Sequence, residues 1–311
     1  MRLIAADVGG TKTLLRCVEH DGRTSREGRY DSASYRRFED LTGEFLAGLP
    51  GPVDAACFAV AGPVRGGVAH ATNLEWTLSE RELETTLGIP TVTVVNDFFA
   101  LAYGVPFLAD SDLLSLNRGE RDPDAPVAVL GAGTGLGEAF VVRHNEVHHV
   151  LATEGGHCDF APQDEEQTRL FLQLHERLGH VSWERLLSGS GLVNIFMFLG
   201  GEELDPAEIA ERAERGDRAA VRAFEIFADL YGAEAGNMAL RLLTRGGVFL
   251  AGGIAAKNPA RFTDGRFREA YLRKGRFAGL VESIPVDLIL NEEVGLLGAV
   301  ALARKIAAAR G

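Results

Sequence analysis

The sequence predicts an α/β protein built from two lobes that face a cleft. Its 311 residues are enough for one large or two ordinary domains. Apolar, β-branched stretches alternate with stretches of helical periodicity along the chain. The order strand, Gly/Thr turn, strand and polar turn occurs twice, in residues 3–22 and 128–146. This repeat indicates duplicated lobes, although glycine-rich hairpins can also resemble one another by chance.

The N-terminal elements follow from their apolar patterns. Residues 2–8 predict a strand, 9–12 a turn, and TLLRCVEH a second strand before the turn at Asp21-Gly22. The apolar spacing of SYRRFEDLTGEFLAGL predicts a helix, and VDAACFAVAGPV is predicted to be a buried strand. LSERELETTLG is predicted to be a serine-capped helix. IPTVTVVNDF is predicted to be a β-branched strand, followed by a helix to about Val105.

The rest of the chain begins with the loop NRGERDPDAP, residues 117–126, whose composition suggests a domain boundary. A hairpin follows, and then DEEQTRLFLQLHERLG is predicted to be an amphipathic helix. SWERLLSGSGLVNIFMFLGG is predicted to form two helices separated by a glycine break, and residues 206–244 a mostly long helix. The last predicted elements are a buried strand in GGVFLAGGIA, a strand in IPVDLIL and a closing helix in VGLLGAVALARKIAAAR.

The stretch VAVLGAGTGLGEAFVV, residues 127–142, contains a glycine cluster like that of a dinucleotide-binding loop. The G-x-G-x-x-G spacing fails, because Leu136 or Glu138 stands where the third glycine is required. The turn is followed by strand-like sequence and a polar turn, whereas the fingerprint needs a helix. We therefore predict a β-hairpin with a glycine-rich tip, which either brings backbone N–H groups to an anion or is simply a tight turn.

Composition narrows the class of protein. The net charge is −12 and the pI is about 5.2, which argues against nucleic acid as the main partner. The three cysteines have no metal-like spacing and suit a reducing cytoplasm. No cleavable signal and no apolar run near the ~18 residues of a membrane span are visible. We expect a soluble cytoplasmic protein that binds no membrane.

Two strand ends in the first half carry groups suited to phosphate chemistry. In DVGGTK, Asp7 suits Mg²⁺ and the glycine amides with the Thr11 hydroxyl suit a phosphate, although the stretch is not a Walker A loop. In VVNDF, an Asn-Asp pair follows a buried strand. A carboxylate there suits a general base for an alcohol, and an N-cap for the next helix explains the pair equally well.

Two further motifs lie in the second half. EGGH, Glu154 to His157, combines a carboxylate and an imidazole that can bind sugar hydroxyls, or it is a structural turn. In LAGGIA, Gly252-Gly253 follow a buried strand, where a nucleotide's flat face could lie on the backbone or where helix and strand pack closely. Glu184, in SWERLLSG, lies on a predicted helix and would ordinarily be solvated.

In this order the motifs resemble the bacterial ATP-dependent glucokinases of the non-ROK type, within the hexokinase/actin/Hsp70 ATPase superfamily. The resemblance covers nearly the whole chain and rests on DVGGTK, AVAGPV, TNLEW, VVNDFFA, GAGTGLG, EGGHCDFAP, GHVSWERLLSGSGLVNI, GGVFLAGGIA and IPVDLIL…GLLGA. It implies a two-lobed actin-like ATPase (ribonuclease H-like) fold with an interlobe cleft. Residues 1–107 with 291–311 would form the small lobe and 108–290 the large lobe.

The resemblance also implies a reaction, the transfer of the ATP γ-phosphate to the 6-hydroxyl of glucose. Asp97 would be the general base, Asp7 would hold Mg²⁺ through water, and the protein is expected to be a homodimer. The sugar ligands would be Asn96, Asp97, Glu154, His157 and Glu184. The nucleotide contacts would be Ala6, Asp7, Val8, Gly9, Gly10, Thr11, Lys12, Gly133, Thr134, Gly135, Gly252 and Gly253.

Two residues depart from the family pattern. Lys12 stands where many of these glucokinases have asparagine, and its added positive charge near the phosphates could help binding or alter the choice of nucleotide. Cys158 stands where a small apolar residue is more usual, and we expect it to be a buried spectator. The zinc-binding cysteine cluster of the ROK kinases is absent from the sequence, so no zinc is expected.

Three other functions fit parts of the pattern. A kinase for mannose, fructose or an amino sugar would use the same polar residues. A sugar-sensing regulator on the same fold normally carries a DNA-binding extension, which the early first strand and the acidity argue against. An actin-type assembly protein would have no use for VVNDF and EGGH.

Overall fold

The computed structural model describes residues 1–71, 74–145 and 147–309, which fold as two compact units. The first unit is Met1–Leu108 with the segment from Glu293 onward, and the second is Ala109–Glu292. The prediction of a domain boundary at residues 117–126 is wrong, because this loop joins two strands of one sheet inside the second unit. A polar loop rich in Gly, Pro and charge marks an exposed connection, and such connections occur within domains as well as between them.

The first unit is built on a five-stranded sheet with the order β3-β2-β1-β4-β8, beside a small sheet of β5, β6 and β7. Strands β1, β4 and β8 are parallel, and β1, β2 and β3 form an antiparallel meander. With elements numbered along the whole chain, the bounds are β1 (Arg2–Val8), β2 (Lys12–Glu19), β3 (Thr24–Asp31), α1 (Phe38–Ala47), β4 (Ala55–Val60), β5 (Val64–Arg65), β6 (Val68–His70), β7 (Thr77–Ser79), α2 (Glu80–Leu87), β8 (Val92–Asn96), α3 (Asp97–Gly104) and α11 (Val294–Ala308), with 3₁₀ turns at Ser32–Ser34 and Val105–Phe107.

Two glycines allow α3 and α11 to pack in close contact. A Cβ at Gly298 would lie 1.8 Å from the Ala100 carbonyl oxygen, and one at Gly104 would lie 2.2 Å from the Val294 carbonyl oxygen. No larger side chain fits at either place without moving a helix backbone. This contact fixes the position of α3, and Asp97 is its first residue.

The second unit is built on a six-stranded sheet with the order β12-β11-β10-β13-β14-β9, in which β10, β13 and β14 are parallel. Its bounds are β9 (Leu113–Asn117), β10 (Val127–Ala132), β11 (Leu136–His144), β12 (Val147–Thr153), α4 (Glu165–Leu178), α5 (Gly189–Phe198), α6 (Pro206–Glu214), α7 (Arg218–Leu242), β13 (Val248–Ala251), α8 (Gly253–Lys257), α9 (Arg266–Leu272), α10 (Ala278–Glu282) and β14 (Val286–Ile289), with 3₁₀ turns at Asp110–Asp112, Gly155–His157, Trp183–Arg185, Pro259–Arg261 and Gly275–Phe277.

The structure confirms the predicted glycine-tipped hairpin and corrects three other predictions. Strand β3 was not predicted, because TSREGRYD is polar and exposed at the sheet edge. SWERLLSG forms a 3₁₀ turn instead of a helix. The helix expected over 206–244 is interrupted at Gly216 (φ +84°), and Asp217 caps a new helix. TNLEW and the turn after His144 lie partly outside the described residues.

The buried side chains are mostly apolar in both units. In the first, Ile4 and Phe58 of the sheet pack with Phe38 of α1. In the second, the long helix α7 contributes Phe227 and Tyr231 to the core beneath the sheet. None of the helices described here is long and apolar enough to cross a membrane.

Candidate active site

The first phosphate-binding candidate is the turn that joins β1 to β2. The Gly9 amide donates to the Lys12 carbonyl oxygen at 3.0 Å, and a Cβ at Gly9 would lie 2.9 Å from that oxygen. The buried Ser32 hydroxyl donates to the Gly9 carbonyl oxygen at 2.8 Å and lies 2.9 Å from the Thr13 hydroxyl. Ser32 and Thr13 therefore hold the turn, and no motif in the sequence points to them.

The side chains of the predicted nucleotide residues differ in exposure. Ala6 and Val8 are buried in the core, so only their backbone is available to a ligand. Thr11 and Lys12 are exposed, and Lys12 pairs across the strands with Asp31. An exposed Lys12 ammonium at the edge of the turn is compatible with a phosphate contact.

Asp7 is an isolated carboxylate near the end of β1. No described residue donates a hydrogen bond to it, and a Cβ at Gly295 in the first turn of α11 would lie 4.0 Å from its Oδ2. Burial raises the pKa of Asp7 to about 6, and the nearby Asp97 carboxylate adds to the rise. A group that is costly to ionise beside a second acid is one that a bound cation would stabilise.

Asn96 and Asp97 divide the two roles predicted for VVNDF. Asn96 is the N-cap of α3, since its Oδ1 accepts from the amides of Phe98 and Phe99 at 3.0 and 3.1 Å. Its Nδ2 donates to Asp97 Oδ1 at 2.9 Å, and Asp97 Oδ1 also accepts from the Phe98 amide at 2.8 Å. Asp97 Oδ2 receives no hydrogen bond from any other described residue.

The environment of Asp97 favours proton uptake. Burial raises the pKa of Asp97, while the hydrogen bonds from the backbone and from Asn96 act in the opposite direction. One oxygen is thus fixed in place and the other is left to accept a proton, which is the arrangement a general base needs.

In the second unit, the hairpin tip and Gly252-Gly253 lie side by side. Strands β10 and β13 are parallel neighbours, with Gly131 opposite Ala251. Gly252 has φ +96°, and a Cβ there would lie 2.1 Å from the Ala132 carbonyl oxygen. Only glycine therefore fits at residue 252.

The conformation of the hairpin tip is fixed by backbone hydrogen bonds, and one side of the tip has space for a ligand. The Gly133 amide donates to the Gly135 carbonyl oxygen at 2.9 Å, and the Gly189 amide donates to the Gly133 carbonyl oxygen at 2.8 Å. A Cβ at Gly133 would meet nothing within 4 Å, and Thr134 is exposed. The tip thus presents backbone and a hydroxyl group to a ligand.

Three predicted sugar ligands meet around one imidazole. His157 Nε2 lies 3.9 Å from Glu154 Oε2, and His157 Nδ1 lies 3.8 Å from Glu184 Oε1. Glu154 and His157 belong to the segment Glu154–His157, which we call the sugar turn. Glycine is required at Gly156, where a Cβ would lie 2.3 Å from the Leu136 carbonyl oxygen.

Glu184 does not have the solvated helical environment expected from the sequence. It lies in the 3₁₀ turn Trp183–Arg185 with 27% of its side chain exposed. Its Oε2 accepts from the Leu136 amide at 3.0 Å, and a Cβ at Gly135 would lie 2.5 Å from the same oxygen. Glu184 therefore links the sugar turn to the glycine hairpin.

Cys158 follows the sugar turn and is exposed, so the expectation of a buried spectator is wrong. Its amide donates to the Gly155 carbonyl oxygen at 2.9 Å and closes the 3₁₀ turn Gly155–His157. Among the described residues, no group of three or more His, Cys, Asp or Glu side chains is placed to hold a metal ion.

Comparison with solved structures places this architecture in a fold class. A glucokinase from an Antarctic psychrotroph superposes with a TM-score of 0.90 at 30% identity, over 98% of this chain and 99% of that one. A glucokinase from Balamuthia mandrillaris, solved in complex with glucose, gives a TM-score of 0.83 at 23% identity, over 97% and 93%. The protein has the actin-like ATPase fold of the sugar kinases.

Sequence comparison then gives the family. A model of the Glucokinase family matches residues 4–306. A glucokinase of Nostoc sp. (strain PCC 7120 / SAG 25.82 / UTEX 2576) is 39% identical over 339 residues, which cover 98% of this chain and 99% of the relative. The chain belongs to the glucokinase family, whose reaction is the transfer of a phosphoryl group from ATP to glucose.

Proposed function

We propose that Asp97 is the general base of this reaction and removes the proton from the sugar 6-hydroxyl as that oxygen attacks the γ-phosphorus. The observation that carries the proposal is that the two carboxylate oxygens of Asp97 differ in their hydrogen bonds. Oδ1 is held by Asn96 and by the Phe98 amide, and no other described residue donates to Oδ2. Asp97 then carries the proton while the oxygen–phosphorus bond to ADP breaks.

The nucleotide side of the proposal rests on the two glycine turns. Backbone amides of the Gly9–Lys12 turn and of the hairpin tip Gly133–Gly135 would bind phosphate oxygens, and Gly252-Gly253 would lie against the adenosine. Asp7 would hold Mg²⁺ through water, since its carboxylate, to which no described residue donates, offers a hard oxygen ligand. When bound, the cation would neutralise the charge that develops on the phosphates.

The sugar side of the proposal uses the groups around His157. Glu154 and Glu184 can only accept hydrogen bonds when ionised, whereas the imidazole can donate from one nitrogen and accept at the other. A sugar with several adjacent hydroxyls satisfies such a set. Asn96 would add its amide group near the attacking hydroxyl, and positioning by these contacts supplies much of the rate enhancement.

The same proposal includes a cellular setting. All three cysteines are unpaired, and Cys17 and Cys57 are buried thiols, which suits a reducing cytoplasm. The net charge of −12 suits a protein that binds a sugar and a nucleotide and does not bind nucleic acid. A homodimer is the oligomeric state we propose, and sedimentation at several concentrations tests it.

The experiment is ADP release from MgATP with glucose, mannose, fructose, glucosamine, N-acetylmannosamine and no sugar. We expect turnover with glucose to exceed all others, and Asp97→Asn to bind glucose with little turnover. Turnover with another sugar would keep Asp97 as the base and change the substrate. Near-normal turnover by Asp97→Asn would remove the base assignment.

A further inference from the structure

A buried pair of glutamates lies directly beneath the sugar turn, and the mechanism above does not use it. Glu138 of β11 has 1% of its side chain exposed and Glu234 of α7 has none. Acidic side chains are almost never fully buried unless they are paired. The pair therefore requires a physical explanation.

One arginine serves both acids unequally. Arg241 Nη1 lies 2.5 Å from Glu234 Oε1 and 3.3 Å from Glu138 Oε2. Glu234 also accepts from Asn237 at 2.8 Å. Glu138 Oε1 is buried and has no partner among the described residues. Glu234 is therefore well paired as an anion, and Glu138 is not.

The remaining neighbours do not supply the missing partner. Lys274 Nζ donates to the Ala233 carbonyl oxygen and to Asn237 Oδ1, at 2.8 and 2.7 Å. The Tyr231 hydroxyl bonds to backbone groups of the strands. Two carboxyl groups that share a site cannot both ionise cheaply, so one of them retains a proton.

Glu138 is the member of the pair that touches the sugar turn. A Cβ at Gly155 would lie 2.0 Å from Glu138 Oε2, so the turn packs directly on this carboxyl group. The Thr153 hydroxyl donates to the Glu138 carbonyl oxygen at 3.0 Å and accepts from the Gly155 amide at 3.1 Å. Both the side chain and the backbone of Glu138 thus support the turn.

We propose that Glu138 is a positioning residue, held protonated beside Glu234, and that its neutral carboxyl group lets the sugar turn pack down on it. Loss of this proton places a second negative charge beneath Gly155. The turn lifts to admit water, and sugar affinity falls. This inference rests on the proposed role of Glu154 and His157 in sugar binding.

The electrostatic evidence agrees with the geometry. Burial raises the pKa of Glu138 most, and the charge of Glu234 raises it further, while the charge of Arg241 acts in the opposite direction. Alkaline pH should therefore remove the proton, and the sugar turn should respond before the rest of the fold does.

The test compares the glucose KM of the wild type, Glu138→Gln and Glu138→Ala from pH 6.5 to 9, with the kcat and the ATP KM measured alongside. The wild-type glucose KM should rise by about tenfold between pH 7 and pH 9. Glu138→Gln, which is always neutral, should keep a flat, low KM. Glu138→Ala should raise the glucose KM several-fold at every pH. Glu203→Gln, at an exposed glutamate, is the matched control and should follow the wild type.

Two results would overturn the inference. One is an equal alkaline rise in wild type and Glu138→Gln. The other is a tenfold higher glucose KM of Glu138→Gln at pH 7 with an unchanged melting temperature. Hydrogen exchange at the Gly155 and His157 amides gives a readout without activity, and at pH 9 it should be slower in Glu138→Gln than in wild type. If exchange at pH 9 is slower in Glu138→Gln but glucose is not a substrate, the proposed sugar-binding role of Glu154 and His157 fails. The effect of the Glu138 proton on the turn is then still supported.

Discussion

Replacing Asp7 by asparagine should stabilise the protein while it abolishes activity. The residue is half-buried and receives no hydrogen bond from the described residues, so its charge is uncompensated. Its pKa lies at about 6 against the ordinary 3.8. At about 1.36 kcal/mol per pKa unit, ionisation costs the folded state up to about 3 kcal/mol at pH 7. Asparagine has the same shape and no charge, so Asp7→Asn should gain about 2 kcal/mol.

The pH dependence of this gain has a definite sign. An acid whose pKa is raised on folding binds its proton more tightly in the folded state than in the unfolded one. Stability is therefore lost as pH rises from about 3.8 through about 6, and the loss stays constant above that range. The free energy of unfolding of Asp7→Asn should equal that of the wild type below pH 3.8, and its full excess over the wild type should be present at pH 7.

The assay is urea unfolding of the first unit, followed by fluorescence. The chain has two tryptophans, Trp76 in the first unit and Trp183 in the second, and both are buried. A Trp183→Phe background leaves Trp76 as the reporter. Asp21→Asn, at a carboxylate with 67% of its side chain exposed, should change stability by less than about 0.5 kcal/mol. Equal midpoints for Asp7→Asn and the parent at pH 7, or a gain that persists at pH 3.5, would refute the reasoning.

The other predictions concern turnover. Asp97→Asn should lower kcat by about 10²–10⁴ without lowering the melting temperature, measured by coupled ADP release; a kcat within threefold of wild type contradicts this. Glu154→Gln and His157→Ala should each raise the glucose KM and leave the ATP KM unchanged. A glucose KM equal to that of the wild type in both variants would exclude the two residues from the sugar site. Glu184→Gln should raise both KM values, because its carboxylate touches both the sugar turn and the glycine hairpin. A change in the glucose KM alone would show that its bond to the hairpin is without effect.

Local patterns were enough to predict most strands and the glycine-tipped hairpin. Apolar alternation and turn residues are properties of neighbouring positions, and they persist in the fold. The two explanations of VVNDF also came from local chemistry. The structure gives the N-cap to Asn96, and no other residue that it describes donates to Asp97 Oδ2. Strand β3 escaped prediction because an exposed edge strand needs no apolar face.

The contacts that shape the candidate site join residues far apart in the chain. Ser32 supports Gly9 across 23 positions, and Glu184 bonds to Leu136 across 48. Periodicity carries no information about such pairs, and Ser32 looks like any polar residue at the end of a strand. The resemblance to a family identified Glu184, but its bond to the hairpin required the folded chain.

Acids that burial makes costly to ionise violate the rules that predict a stable fold, and such violations mark functional places. Asp7, Asp97 and Glu138 all have a pKa raised chiefly by burial. Their surroundings separate them into two kinds. Asp7 and Asp97 lie at strand ends, each with an oxygen that accepts no hydrogen bond from another described residue, where a cation or a hydroxyl group can compensate the charge. Glu138 lies behind the sugar turn with its Oε1 buried and without a partner among the described residues, so its own proton neutralises it. Burial alone therefore does not distinguish a group that meets the substrate from one that positions another group.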